Sequence, residues 1–220
     1  AQRVICPSEF TRADVISRWG VAESSTRVVP DAPALALGKG VEEGVQRPYV
    51  LAVGDLRQKK NVAALVRAFV ALRRRERIEQ RLVLVGLDAG AGAGLRALSQ
   101  GEPVEFTGYV SDERLDALIR GATVLVHPSL YEGFGLVVLE AMARGTPVLA
   151  ARATALPETG GDAAAYFEPS EPDGLERALG ELLTDEPGRA ELARRGLGRA
   201  AGYSWERTAR ETAAIYRELL

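Results

Sequence analysis

The chain has 220 residues, of which 46% are hydrophobic and 26% charged, and its formal net charge is -2. This composition indicates a globular chain with enough residues for one large domain or for one and a half. The lack of a basic excess argues against a general nucleic-acid-binding protein. Cys6 is the only cysteine, which excludes an internal disulfide, and no apolar run approaches the ~20 residues that a membrane-spanning helix needs.

The first 30 residues predict a short β–α–β unit. The apolar and helix-forming segments place a strand, a helix and a strand at 3–6, 10–19 and 26–29. Ser8 is suited to cap the start of this helix and Gly20 to end it. The next stretch, 31–47, is rich in Pro, Ala and Gly, which predicts a linker and a loop.

From residue 48 onward, apolar strand-like runs alternate with helix-forming segments. Strands are predicted at 49–54, 81–86, 104–107, 124–127, 147–150 and, at a sheet edge, 164–167. Helices are predicted at 62–75, 111–120, 136–144, 173–183, 187–201 and 205–220, with Asn61 as a cap. The glycine-rich stretches 90–94 and 156–162 predict loops. Successive β–α units imply an α/β fold, a parallel sheet with helices on both faces.

The most informative stretch is EGFGLVVLE, which runs from Glu132 to Glu140 between a buried strand and a helix. The N–H groups of Gly133, Phe134, Gly135 and Leu136 lie in or next to the first helical turn, where they lack intrahelical acceptors and favour an anion. A solvated Glu132 and a surface Glu140 are the alternative. The apolar neighbours of Glu140 make an unpaired carboxylate there costly, which disfavours that alternative.

This stretch resembles the E-x7-E element of family 4 retaining glycosyltransferases of the GT-B fold. The resemblance implies that Glu132 holds hydroxyls of the donor sugar, that the amides of 133–136 hold sugar and phosphate oxygens, and that Glu140 holds the ribose. It also implies the Rossmann-like C-terminal half of a GT-B protein. In the family the reaction transfers a hexosyl group from a nucleoside diphosphate sugar and needs no metal or other cofactor.

The loop after the strand at 49–54 carries the cations expected near a diphosphate. It resembles the family's G-R-x4-K loop, so that Lys60 falls on the lysine that neutralises the leaving diphosphate. Asp55 occupies the family's arginine position, where an anion opposes phosphate binding. Either Asp55 turns away, or the donor is held differently, with Arg57 or Lys59 helping.

Three further candidates each have more than one interpretation. Tyr109, Val110 and Leu115 resemble the segment that meets the nucleobase, although packing of Leu115 in the core and Tyr109 over a loop is an equal alternative. His127 is the only histidine, and a lone histidine at a strand end is usually structural. Glu158 is interpreted as a helix-start residue rather than a ligand. No Ser/His/Asp arrangement and no Asp-x-Asp pair occurs in the sequence.

The resemblance also divides the chain. It implies that 1–30 is a remnant of an N-terminal domain, that 48–203 is the nucleotide-sugar-binding domain, and that 204–220 crosses back to the N-terminal domain. The chain begins with Ala1 rather than Met, and we expect a part of a longer protein whose missing domain carries most of the acceptor site.

The expected partners are a nucleoside diphosphate sugar, a sugar or lipid-linked acceptor and the missing N-terminal domain, without nucleic acid. We expect a cytoplasmic location, with membrane contact only through the missing part, and little transfer by this chain alone. The alternatives are a GT-B epimerase or phosphorylase, and a non-catalytic nucleotide-sugar-binding module, which Asp55 favours.

Overall fold

A computed structural model describes residues 1–38 and 46–220 of the chain. Within that part, the main sheet has six parallel strands in the order β5-β4-β3-β6-β7-β8. These strands are β3 (Tyr49–Val53), β4 (Arg81–Val85), β5 (Val104–Gly108), β6 (Val124–His127), β7 (Val148–Ala151) and β8 (Ala165–Phe167). The predicted α/β class is confirmed, and so is the edge position of β8.

Helices follow the strands. They are α2 (Val62–Glu76), α3 (Gly92–Ser99), α4 (Asp112–Gly121), α5 (Leu136–Met142), α6 (Leu156–Gly160), α7 (Gly174–Thr184), α8 (Glu186–Ala200) and α9 (Trp205–Arg217). The strands β6 and β7 are buried along their whole length, and together with side chains such as Leu51, Phe69 and Leu139 they form one core. The central strands therefore read as continuous apolar runs because helices cover both faces of the sheet.

The order of the strands determines where a ligand can bind. Chain order runs outward in one direction from β3 to β5 and in the other from β6 to β8. The gap between the carboxyl ends of β3 and β6 is therefore the point where the topology switches, which is the usual ligand site of an open parallel sheet. Lys60 follows β3, and His127 and Glu132 lie at or after the end of β6.

Three local predictions were wrong. Asn61 precedes α2, but its backbone is left-handed (φ 52°) and its side chain makes no capping hydrogen bond, because a 3-10 turn at Gln58–Lys60 leads into the helix instead. The predicted loop at 90–94 contains the start of α3, where the Asp88 carboxylate accepts hydrogen bonds from the N–H groups of Gly90 and Gly92. The loop predicted at 156–162 is instead α6 followed by a 3-10 turn.

Residues 1–30 form a small unit beside this domain. It consists of β1 (Val4–Cys6), α1 (Glu9–Trp19) and β2 (Thr26–Val28), and the two strands pair in parallel. The Ser8 hydroxyl caps α1 by accepting a hydrogen bond from the Thr11 N–H, as predicted. The C-terminal α9 lies against this unit, since Thr208 donates to the Pro30 carbonyl at 2.7 Å.

Within residues 1–38 and 46–220, no helix combines the length and the apolar character that crossing a membrane requires.

Candidate functional site

Three charged or titratable side chains meet at the carboxyl ends of β3 and β6. The Glu132 Oε1 atom lies 2.5 Å from the Lys60 Nζ and 3.1 Å from the His127 Nε2. An ionised carboxylate only accepts hydrogen bonds, so His127 must carry a proton on Nε2 and donate it. The Lys60 ammonium has three donor hydrogens, and its bond with Glu132 leaves two for a ligand.

The surroundings of Glu132 keep it ionised. Burial alone would raise the pKa of this carboxyl, but the hydrogen bonds with His127 and Lys60 outweigh the burial and lower the pKa to about 2. The carboxylate and the ammonium are both about four-fifths buried or more, with exposed side-chain fractions of 16% and 20%. The cluster is therefore a partly desolvated ion pair at the carboxyl ends of β3 and β6, where its charges act more strongly than in water.

The loop after Glu132 presents a row of free amides. In the part of the chain that the structure describes, the N–H groups of Gly133, Phe134, Gly135 and Leu136 donate to no protein acceptor. Gly135 has φ 101°, a conformation that glycine adopts without strain, and a Cβ there would lie 2.8 Å from the Leu156 Cδ2 atom. The Phe134 side chain is buried against Tyr203 with ring centroids 5.9 Å apart. Only its backbone is available to a ligand.

Glu140 lies on α5 and is almost completely buried. Its Oε1 atom accepts hydrogen bonds from the N–H groups of Ala34 and Leu35 at 2.6 and 2.8 Å. Its Oε2 atom accepts a hydrogen bond from the Arg144 Nη1 at 2.6 Å. A carboxylate oxygen has about two lone-pair sites. Oε1 is therefore saturated by the linker, and Oε2 keeps one site for a ligand hydroxyl.

The guanidinium of Arg144 connects Glu140 to a second buried carboxylate. Its side chain has no exposed surface, and its Nε lies 2.9 Å from the Asp116 Oδ1. Its Nη2 donates to the Leu35 carbonyl at 2.8 Å. Asp116 also pairs with Arg120 on the same helix. Linker and helix are thus joined around Glu140 by a buried network of charges.

A cleft of ≈ 280 Å³ lies beside Glu140. Its walls include Val53, Leu115, Leu136 and Val137, together with the linker residues 34–35. Leu115 both packs on the core and lines this cleft. Tyr109 is 75% exposed and Val110 is buried in the core, so the structure does not bring either side chain into the cleft walls.

The carboxylate of the loop that follows β3 is paired within its own loop. Asp55 Oδ2 lies 3.4 Å from the Arg57 Nη2, and the two side chains are 41% and 61% exposed. The pair is solvated, so it contributes little to stability. Arg57 offsets the charge of Asp55 near the start of the loop that ends at Lys60.

Two residues of this site were not predicted from the sequence. His127 was interpreted as structural, yet it donates to Glu132; its signal is its place at the end of β6, directly beside β3. Arg144 was not considered, although its spacing from Glu140 is the i,i+4 spacing of facing residues on a helix. Glu158 lies in the first turn of α6, as predicted, and its carboxylate also accepts hydrogen bonds from the N–H groups of Glu9 and Phe10 at the beginning of α1.

No three His, Cys, Asp or Glu side chains cluster as metal ligands within the ranges that the structure covers.

Comparison with known proteins assigns the family. The model of "Glycosyl transferases group 1" matches residues 39–199. The chain belongs to this family. A relative in the family, the O-antigen chain mannosyltransferase B of Escherichia coli, is 31% identical over 236 residues, covering 100% of this chain and 61% of the relative. The MMP alpha-(1->4)-mannosyltransferase of Mycolicibacterium hassiacum is 34% identical over 219 residues, covering 97% of this chain and 53% of the relative.

Solved structures of glycosyltransferases share the fold. Sucrose-phosphate synthase from Thermosynechococcus elongatus superposes with a TM-score of 0.82 at 29% identity, covering 100% of this chain and 58% of that one. Anabaena Alr3699/HepE, solved with UDP and glucose, gives a TM-score of 0.85 at 22% identity, covering 99% and 64%. The group 1 domain described here is therefore a Rossmann-like half of a GT-B architecture, and it spans between 53% and 64% of the length of these four proteins.

Proposed function

We propose that this chain is the donor-binding domain of a retaining glycosyltransferase, which transfers a hexosyl group from a nucleoside diphosphate sugar to an acceptor hydroxyl. The observation that carries the proposal is the Lys60–Glu132–His127 cluster, which lies at the topological switch point next to the free amides of 133–136. The proteins matched are longer than this chain. The acceptor site is expected on an N-terminal domain, so the chain alone should transfer little sugar.

The proposed roles follow from charge and geometry. Lys60 stabilises the negative charge that develops on the leaving diphosphate, which is electrostatic catalysis directed at the transition state. The hydrogen bond to Glu132 holds the Lys60 ammonium near the carboxyl ends of β3 and β6 until the donor sugar nucleotide binds. Glu132 remains ionised and accepts hydroxyls of the donor sugar, while His127 fixes the orientation of its carboxylate. No metal ion takes part in the proposed reaction.

The nucleoside is proposed to occupy the cleft beside Glu140. Leu115 and Val137 form apolar walls for the base or ribose, and the Oε2 atom of Glu140 accepts a ribose hydroxyl. Tyr109, Val110 and Arg57 stay secondary candidates, because none of the three lines this cleft. Binding through both oxygens of Glu140 would require the linker at Ala34 and Leu35 to move.

The names of the relatives suggest which donor to test first. Two of the curated relatives are mannosyltransferases, and a solved neighbour was crystallised with UDP and glucose. GDP-mannose is therefore the first ligand for calorimetric titration, followed by UDP-glucose and ADP-glucose. Glu140→Gln serves as a variant that keeps the side-chain shape.

The proposal predicts saturable binding of at least one of these donors and weaker binding by the variant. Failure of all three to bind at millimolar concentration, in a protein that also carries the N-terminal domain, would refute it. A new glycoside with the donor's anomeric configuration supports retaining transfer. An isomerised donor or a phosphorolysis product would instead indicate an epimerase or a phosphorylase.

A second candidate, a non-catalytic nucleotide-sugar-binding module, is favoured by Asp55. Binding of a donor without any turnover by the two-domain protein would select it.

A further inference from the structure

The carbonyl of Gly133 is held by two hydroxyls from a distant part of the chain. The Ser8 Oγ and the Thr11 Oγ1 donate to it at 2.5 and 2.8 Å. Both residues belong to the start of α1, far from Gly133 in sequence. Ser8 is fully buried, so water does not compete for this bond.

The carbonyls on either side are held in the same way. The Thr159 hydroxyl of α6, fully buried, donates to the Phe134 carbonyl. The Ala155 N–H donates to the Glu132 carbonyl at 3.4 Å. The three consecutive carbonyls of residues 132–134 thus each accept a hydrogen bond from another part of the protein.

This arrangement determines where the amides point. The peptide bonds of this loop are trans, and in a planar trans peptide the C=O and the following N–H point in opposite directions. Fixing the carbonyls of residues 132–134 therefore fixes the N–H groups of Gly133, Phe134 and Gly135 on the other sides of their peptide planes. These are the N–H groups that lack a protein acceptor within the described residues.

We propose that Ser8, Thr11 and Thr159 are positioning residues for binding of the donor sugar nucleotide. The hydroxyls of these three side chains hold the Gly133 and Phe134 carbonyls, so that the loop amides stay directed at phosphate or sugar oxygens of the donor. The inference rests on the proposed function, because it assigns a ligand to those amides. It also gives the N-terminal unit a part in donor binding, since Ser8 and Thr11 lie outside the main domain.

Glycine makes the holding groups necessary. Residues 133 and 135 are glycines, whose backbone is freer than that of other residues. Without the hydroxyls, the peptide planes of this loop could rotate and the amides would no longer converge. Preorganised hydrogen-bond donors, such as these amides, stabilise charge because they do not have to reorient when the ligand binds.

The test removes the hydroxyls while preserving shape. The variants are the double change Ser8→Gly with Thr11→Val, and the single change Thr159→Val. Glycine replaces serine at an N-cap with a loss of only a few tenths of a kcal/mol, so α1 should remain capped. The change Ser8→Thr with Thr11→Ser keeps both hydroxyls and serves as the rescue variant.

Thr146→Val is the matched control. Thr146 is buried and its hydroxyl donates to the Ile119 carbonyl at 2.7 Å, outside the donor loop. The wild type and the variants are titrated with GDP-mannose, UDP-glucose and ADP-glucose, and with the nucleoside monophosphate of the donor that binds.

The proposal predicts that each hydroxyl-free variant binds the diphosphate sugar about 3- to 10-fold more weakly. The nucleoside monophosphate should change less than about twofold, because the amides are assigned to the distal phosphate and the sugar. The rescue variant and Thr146→Val should bind both ligands like the wild type.

Two results would overturn the inference while leaving the proposed function intact. One is unchanged affinity for the diphosphate sugar in both hydroxyl-free variants. The other is an equal loss for sugar nucleotide and monophosphate, which indicates general loosening. If the wild type, in a form that also carries the N-terminal domain, bound none of the three donors, the proposed function would fail and this inference with it.

Discussion

The two carboxylates of the stretch 132–140 lie in contrasting surroundings. Glu132 is held by the side chains of Lys60 and His127 at the carboxyl ends of the central strands β3 and β6. Glu140 is held by linker amides and by Arg144, whose side chain has no exposed surface. Two glutamates in one short stretch of sequence thus have different hydrogen-bond partners.

The difference is one of exchangeable and fixed partners. A lysine ammonium on a flexible stem can keep its bond to Glu132 and still turn spare hydrogens toward a phosphate. Arg144 makes several bonds in a fixed plane and also binds the linker carbonyls of Leu35 and Ala36. We infer that the Glu132 side rearranges when donor binds, whereas the Glu140 side forms a rigid wall.

The largest expected effect is on stability at the Glu140 side. Arg144→Met leaves the Glu140 and Asp116 carboxylates without their buried partner, and we expect the free energy of unfolding to fall by about 3–5 kcal/mol. Urea denaturation measures this change. The control is Arg152→Met, which breaks an exposed pair with Glu168 and should cost less than about 1 kcal/mol. Equal losses in the two variants would contradict a rigid Glu140 side.

The next effect is on catalysis at the Glu132 side. In a form that carries the N-terminal domain and transfers sugar, Lys60→Ala should lower kcat by about 10²- to 10³-fold, since it removes a preorganised cation from the leaving group. Lys59→Ala removes the same charge from the neighbouring exposed position and should change kcat little. Similar kcat losses in both variants would mean that only the net charge of the loop matters.

The pH dependence sharpens the comparison further. The pKa of Glu132 is lowered from its ordinary 4.5 to about 2, so the stability that this ionised group contributes is present above pH 4.5 and is lost as the pH falls toward 2. Lys60→Met removes one of its hydrogen bonds while burial remains, and the pKa should rise. A carboxyl-carbon NMR titration of Glu132 reports both values. A wild-type midpoint near 4.5 would contradict the described cluster.

The smallest effect concerns Asp55. Asp55→Asn removes an anion from the loop after β3, and the donor Kd should fall by at most about fivefold, corresponding to ~1 kcal/mol between charges 4 Å apart in water. Arg57→Ala should change the Kd in the opposite direction, because it leaves Asp55 without its partner. Both changes should shrink in high salt. Titration at two salt concentrations distinguishes this from an Asp55 that faces away from the ligand.

The fold and the position of the site could be predicted from the sequence because they depend on local patterns. Apolar runs at β3, β4 and β6 and the helix-forming segments between them determine a parallel sheet. The Ser8 cap was predictable for the same reason, since Ser8 lies directly before its helix.

The partners of the site residues could not be predicted, because they come from distant parts of the chain. Ala34 and Leu35 reach Glu140 from the linker, and Ser8 reaches Gly133 from the N-terminal unit. The prediction for Asn61 was wrong for a related reason: the turn at 58–60 fixes its backbone in a left-handed conformation, from which its side chain does not cap. Only the folded arrangement decides such contacts.

The most direct test of the donor site is an amide ¹H–¹⁵N NMR titration of this chain with the nucleoside diphosphate sugar that binds best. We expect the largest shifts at the N–H groups of Gly133, Phe134 and Gly135, with further shifts at Lys60. A second groove, which Pro33, Leu37, Leu197 and Trp205 help to line, serves as the internal comparison. Shifts concentrated at that groove, with residues 132–136 unchanged, would contradict the account.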